Sequence, residues 1–286
     1  MARYGVIADI HGNSEALCAA LAALEDLHIE RIVCLGDIVG YNADADECTE
    51  IVRRRCAVSI MGNHELIALG LLDFSRCTKQ AEHALRRTRK TLSRETADWL
   101  SRLPAHAVLE DGVVLVHGGV RDVLQYMTTP AHIAENARHF AEDFAGARVC
   151  FFGHSHEQRV YEVTEQGVKE IPAADQVSLE KDRTYFVNPG SIDAQRKSRH
   201  KLAEFAIFDS GTGRLEFGRV RYHAAATEAK SATFGYRLTP MTDRAYSWKR
   251  RLQKQGRTTV SAARWVGKRG LAVISALLSA RTRKPA

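Results

Sequence analysis

The sequence predicts an α/β fold with two sheets, and three observations carry the prediction. Short apolar runs in the first sixty residues each stop at a polar, glycine-bearing loop, with helical patterning between them. That is the βαβ rhythm of a largely parallel sheet. After about residue 110 the rhythm changes to short strands spaced by Gly, Asp and Asn turns, which suits antiparallel neighbours in a second sheet. Composition agrees, since 45% hydrophobic and 26% charged residues in a chain of 286 describe an ordinary globular protein of one large domain or two modest ones.

The elements follow in order. Tyr4–Ala8 is an apolar run that stops at Asp9-Ile10-His11-Gly12-Asn13. A helix comes next, with Ser14 as its expected N-cap and Leu17, Leu21 and Leu24 as its apolar stripe. Arg31–Leu35 is a second strand ending at Gly36-Asp37, and Cys56–Ile60 a third ending at Met61-Gly62-Asn63-His64. Between Leu72 and Arg102 the chain is polar, helical in pattern and rich in Arg and Lys, either a solvated face or a cap that attracts phosphate. Val113–Val116, Arg148–Phe152, Arg159–Val163, Thr184–Val187, Phe205–Phe208 and Leu215–Arg219 then read as short strands, several of them antiparallel neighbours in the second sheet.

Charge divides the chain. From His223 onward fourteen Lys and Arg face only Glu228 and Asp243, a net of +12, which leaves the first 222 residues at −5. Six cysteines without a C-x-x-C pair read as reduced thiols, mostly buried. The N-terminus shows no basic region followed by an apolar stretch, and the longest apolar run, Gly270 to Ala280, is too short to span a bilayer. A cytoplasmic protein is expected, not a transmembrane one.

Five strand ends carry chemistry: Asp9-x-His11-Gly12, Gly36-Asp37, Gly62-Asn63-His64-Glu65, His117-Gly118-Gly119 and Gly153-His154-Ser155-His156. Loops beyond strand C-termini converge on one crevice in open α/β sheets. Imidazole and carboxylate without thiolate suit divalent Mn, Fe, Zn, Co or Ni. Seven oxygen and nitrogen donors exceed the needs of one tetrahedral ion, whereas two metals bridged by one carboxylate account for the number. Asp37, central in the series, is the natural bridge.

This ordered set resembles the calcineurin-like metallophosphoesterase superfamily over about Tyr4 to Val220. The resemblance implies a four-layer α/β/β/α sandwich of two mixed sheets, with a helical cap segment at 72–103 inside a catalytic domain at 1–222 and a basic extension at 223–286. It implies two divalent ions, manganese first among the candidates. Asp9, His11 and His156 would hold one and Asn63, His117 and His154 the other, with Asp37 between them. His64 falls on the position that contacts phosphate and can protonate the leaving oxygen. The implied reaction is in-line attack of a metal-bridging hydroxide on a small phosphoester.

Departures narrow the branch. The run Gly36-Asp37-Ile38-Val39-Gly40-Tyr41 lacks the acidic residue and Arg of protein phosphatases and resembles small bacterial phosphodiesterases, some of which cleave diadenosine tetraphosphate. A phosphodiester or nucleotide-type substrate is therefore expected, with a general phosphomonoesterase or a catalytically silent scaffold as alternatives. After Gly40-Tyr41 the family is often proline-rich, but here Asn42-Ala43-Asp44 follows. Tyr41 is a candidate for stacking on a base or an ordinary half-buried tyrosine. Arg121 and Arg196 either bind phosphate oxygens or pair on the surface. Glu65 is either a partner that orients the site or a helix-start carboxylate. The basic extension, with Trp248-Lys249-Arg250-Arg251 and a helical pattern over Val260 to Leu278, suits an anionic membrane surface, a nucleic acid or a solvated tail.

Overall fold

The computed structural model of the chain describes residues 2–109, 111–193 and 200–248. It comprises two compact units, Met1–Arg237 and Leu238–Ala286. In the first, β1 (Arg3–Ile7), α1 (Ser14–Asp26), β2 (Arg31–Cys34), α2 (Ala45–Arg55), β3 (Cys56–Ser59) and α3 (Asn63–Ala68) alternate as the apolar patterning requires. Next come α4 (Lys79–Thr91), α5 (Arg94–Leu100), β4 (His106–Val108), β5 (Val113–Val116), α6 (Pro130–Asp143), β6 (Val149–Phe151) and β7 (Gln158–Thr164). The last elements are β8 (Gly167–Ile171), β9 (Gln176–Ser178), β10 (Thr184–Pro189), β11 (Leu202–Asp209), β12 (Arg214–Arg221) and α7 (Ala224–Thr233).

One sheet has the order β3-β2-β1-β11-β12-β9 and the other β4-β5-β6-β10-β7-β8. Both are mixed. β1, β2 and β3 are parallel while β11 and β12 are antiparallel; β5, β6 and β10 are parallel while β4, β7 and β8 are antiparallel. Two of the strands expected among antiparallel neighbours of the second sheet, β11 and β12, thus complete the first. β11 is apolar on both faces, as a strand inside a covered sheet must be, and its pairing with β1 places it in the first sheet.

The period-2 alternation of side chains builds four layers. Val6, Val33, Leu115, Phe151, Val187 and Phe208 point between the two sheets and form one core. Their neighbours Ile7, Ile32, Cys34 and Ile207 point to the opposite face of the first sheet, against Leu17, Leu21 and Leu24 of α1 and Cys48 and Val52 of α2. Val114, Val116, Cys150, Phe152 and Phe186 pack with Ile133 and Phe140 of α6 on the outer face of the second sheet.

One local expectation needs correction. Asn13, not Ser14, caps α1: its Oδ1 accepts from the Ala16 N–H at 3.1 Å, while the Ser14 hydroxyl donates to Asp44 at 2.8 Å. The first compact unit extends to Arg237, and in it α7 and the turn after it bury Thr227, Ser231 and Tyr236. In the second unit residues 240–248 are helical. The basic run from Lys249 and the helical pattern over 260–278 lie outside the described residues. Among the described residues no helix is long and apolar enough to cross a membrane.

Candidate metal centre

All five motif loops meet at the strand ends, and Asp9, His11, Asp37, Asn63, His64, His117 and His154 are buried there. Asp9, His11 and His156 form one group, with His11 Nε2 and His156 Nε2 3.1 Å apart and Asp9 Oδ1 at 3.5 Å from His156 Nε2. Asp37, His117 and His154 form another. Asn63 joins it through Oδ1, 3.0 Å from His117 Nε2. Asp37 faces both groups: Oδ1 lies 3.3 Å from His117 Nε2, and Oδ2 lies 3.8 Å from His11 Nε2. His64 Nε2 stands 3.9 Å from Asp37 Oδ2.

The ring orientations suit metal binding. His11 and His64 turn Nδ1 toward the Val39 carbonyl at 3.4 and 3.2 Å, and His117 Nδ1 toward the Leu35 carbonyl at 2.7 Å. An N–H donated there leaves Nε2 with its lone pair facing inward. His154 Nε2 is buried with no hydrogen-bond partner, a cost that a bound cation removes. Its backbone N–H donates to the Asp9 carboxylate at 3.0 and 3.2 Å. Burial pulls His154 down to about 3, assisted by the charge of His117, so the ring is the neutral imidazole that ligates. Burial opposes ionisation of Asp37, yet His117, His64 and His11 hold its carboxyl well below the usual carboxylate range. His117 is lowered by burial but raised more by Asp37, to about 9, so a metal ion at its Nε2 would take the place of a proton that Asp37 otherwise holds there. This set of imidazole, carboxylate and amide donors fits divalent metal binding.

Glycines leave the room. A Cβ on Gly62 would collide with Asp37 Oδ1, and one on Gly40, at φ +117°, with His64 Nδ1. Glu65 has both of the roles considered for it. From the first turn of α3, its Oε2 accepts the N–H groups of Gly62 and Asp37, each at 2.8 Å, and its Oε1 accepts that of Val39 at 3.1 Å. The carboxylate thereby clasps the Asp37 loop to the Asn63 helix. Burial and the Asp37 charge push it up to about 7 against the pull of those donors.

A cleft of about 740 Å³ opens from the cluster, floored by Asp37, Asn63, His64, His154 and His156. Ile67, Leu71 and Phe74 line it, with Arg76 and Arg89. The stretch 72–81 therefore borders the site, while α4 and α5 bury Leu85 and Leu100 in the body. Tyr41 also lines the cleft, but its ring lies against His11 at 4.8 Å and His64 at 5.0 Å. Arg121 does not line it; its guanidinium is bound to Asp143 at 2.6 and 2.8 Å and Glu142 at 2.8 Å on the surface. Arg196 lies outside the described residues. Sequence reasoning missed Tyr126, half exposed, whose ring sits 4.0 Å from that of His154. Asn188 is a second residue of this kind: its Nδ2 donates to the Gly153 carbonyl at 2.8 Å and Ser155 Oγ at 3.0 Å and so orders the His154 loop.

Known proteins share the sequence pattern and the fold. The family model described as the calcineurin-like phosphoesterase superfamily domain matches residues 2–213. An uncharacterized protein of Methanocaldococcus jannaschii is 32% identical over 224 residues, 76% of this chain and 86% of its own. The crystal structure of a metallophosphoesterase from Sphaerobacter thermophilus superposes with a TM-score of 0.71 at 30% identity, covering 84% of this chain and 96% of that one. A hypothetical protein from Pyrococcus horikoshii shares the fold, with a TM-score of 0.62 at 21% identity over 80% of this chain and 92% of its own. The chain belongs to the calcineurin-like phosphoesterase superfamily, and it is accordingly a metal-dependent phosphoric ester hydrolase.

Proposed function

We propose that the protein hydrolyses a phosphodiester or nucleotide-type substrate at a pair of divalent ions. The observation that carries the reading is Asp37, whose two oxygens face two separate donor groups. Asp9, His11 and His156 would hold one ion and Asn63, His117 and His154 the other, with Asp37 shared. Manganese is the first candidate, and Fe, Zn, Co and Ni suit the same donors. Two such ions supply hydroxide at neutral pH and neutralise charge on the transferring phosphoryl group.

The remaining work falls to the chain. His64, with Nδ1 committed to Val39, keeps Nε2 to contact the phosphate and to pass a proton to the departing oxygen. The phosphate would sit at the buried floor formed by the ligands, and the cleft takes the rest of the substrate. Its volume of about 740 Å³ is far more than a phosphate needs, which favours a substrate with a bulky group on each side of phosphorus over a simple monoester. Attachment of the basic extension to an anionic membrane or nucleic acid, in a cytoplasmic setting, remains part of this reading.

The test is metal-reconstituted hydrolysis by the full chain, with bis-nitrophenyl phosphate, nitrophenyl phosphate and diadenosine tetraphosphate as substrates. Turnover that requires added metal and is strongest on a diester or dinucleotide is expected. A strong monoester preference would refute the substrate class, and turnover undiminished in Asp37→Ala would refute the site.

A further inference from the structure

We infer that the C-terminal segment beyond the matched family domain positions His11: Arg237, with Ser231 beside it, acts through Asn42 on the backbone of this ligand. The inference rests on the assignment of His11 as a metal ligand proposed above. Asn42 is fully buried. Its backbone N–H and its side-chain Nδ2 both donate to the His11 carbonyl, at 2.9 and 3.1 Å. Its Oδ1 accepts from Arg237 Nη2 at 2.8 Å and from the Ser231 hydroxyl at 3.2 Å. A second arm of the same guanidinium, Nη1, donates to the Tyr41 carbonyl at 2.8 Å. With two donors on its oxygen, the Asn42 amide has one satisfied orientation, and that orientation aims Nδ2 at His11. A flipped amide would set donors against donors in a buried place. His11 needs such a hold, because its φ of +54° is a conformation that non-glycine residues seldom adopt.

Arg237 is itself fixed from two sides. Glu228 on α7 accepts from its Nε and Nη2 at 2.8 to 3.0 Å. The preceding turn is tied to α4, where Gln80 Nε2 donates to the Tyr236 carbonyl at 2.8 Å and Thr91 Oγ1 meets the Tyr236 hydroxyl at 3.0 Å. A buried asparagine oxygen needs donors. Those donors come from residues 231 and 237, past residue 213 where the family match ends.

The experiment is calorimetric titration of the metal-free full-length protein with Mn²⁺. Arg237→Ala and Asn42→Ala are expected to weaken binding at one of two sites by about 10-fold or more, as removal of an outer-shell partner does. Arg237→Lys keeps the charge opposite Glu228 but cannot reach Tyr41 and Asn42 together; it is expected to weaken binding too, and it decides the matter if Arg237→Ala does not fold. Lys230→Ala removes another anchor of α7, on Glu15 and Asp44, without touching the Asn42 relay, and is expected to stay within about 2-fold of the wild type. Wild-type affinity in the Arg237 variants, or an equal loss in Lys230→Ala, would overturn the inference and leave α7 a docking role alone. Undiminished affinity and stoichiometry in His11→Ala would instead overturn the ligand assignment, and the inference with it.

Discussion

Replacing Glu65 by Gln tests whether the site is held by its clasp or merely by the strands beneath it. In the wild type one carboxylate accepts three backbone N–H groups, two on Oε2 and one on Oε1. The best a glutamine can do is keep its oxygen on Gly62 and Asp37 and turn its amide toward Val39. One buried N–H then loses its acceptor, at about 1–3 kcal/mol, and two charge-assisted bonds become neutral ones, a loss of about 1 kcal/mol each. Relief from burying a carboxylate, which burial and Asp37 push up to about 7, offsets part of this. A net destabilisation of about 2 kcal/mol is expected at pH 8, where wild-type Glu65 is ionised, read as a lower urea midpoint with an unchanged slope. Metal affinity should fall about 10- to 100-fold, since Glu65 joins the loop that carries Asp37 to the helix that carries Asn63. The reasoning fails if stability stays within about 0.5 kcal/mol and Mn²⁺ affinity within about 2-fold, because the three bonds would then be replaceable by the surrounding fold.

Leu115→Ala, which opens a cavity between the two sheets, should cost about 2–5 kcal/mol in urea unfolding while leaving metal stoichiometry intact. Arg121→Ala should leave KM and kcat for a small diester within about 2-fold, because its guanidinium is spent on Asp143 and Glu142 and not on the cleft; a large rise in KM would show that it reaches substrate. Docking of α7 should weaken in acid. Burial alone would raise Glu15, but bonds from Lys230 and Thr227 lower it below its usual 4.5, so the contribution is full above that value and is lost as pH falls through the depressed one. Limited proteolysis between α7 and α1 at falling pH would follow the change, and cutting that is independent of pH would refute it.

The legible parts of this molecule are those whose cause is local. A strand that ends on Gly-Asp or Gly-Asn-His announces both its end and its chemistry, so five loops distant in sequence could be read as one site. The parts that escaped are decided across the chain. Asn13 and Ser14 are equally good caps by type, and Asp44, thirty residues on, takes the Ser14 hydroxyl and leaves the cap to Asn13. β11 carries apolar residues on both faces, which marks a covered strand but not the sheet that covers it; pairing with β1 settles that. The partners of α7 are Asn13, Asn42 and Asp44, about two hundred residues earlier, so a basic and mildly amphipathic segment looked like the beginning of a tail. Arg121 sits next to a motif in sequence, yet α6 brings Asp143 to it first.

The backbone explains why the motifs have the spacing they do. Among the described residues, six that are not glycine have positive φ, and five are Asp9, His11, Asp37, His154 and His156, at +53° to +65°. Each is a position where glycine would be favoured conformationally by about 1–2 kcal/mol, yet glycine has no side chain to offer a metal. Neighbouring loops meet that cost with cross-loop bonds: Asp9 N–H to the Gly36 carbonyl at 3.1 Å, His11 N–H to the Asp37 carbonyl at 2.8 Å, and Asp193 N–H to the Asp9 carbonyl at 3.0 Å. Asn63, His64 and His117 need no such conformation, since the first two open α3 and the third directly follows β5. The site thus combines donors carried on regular elements, whose rings are oriented from other loops, with donors carried on strained turns, whose backbone is held from other loops as well. Substitutions in those partners should therefore act on metal affinity before they act on the fold.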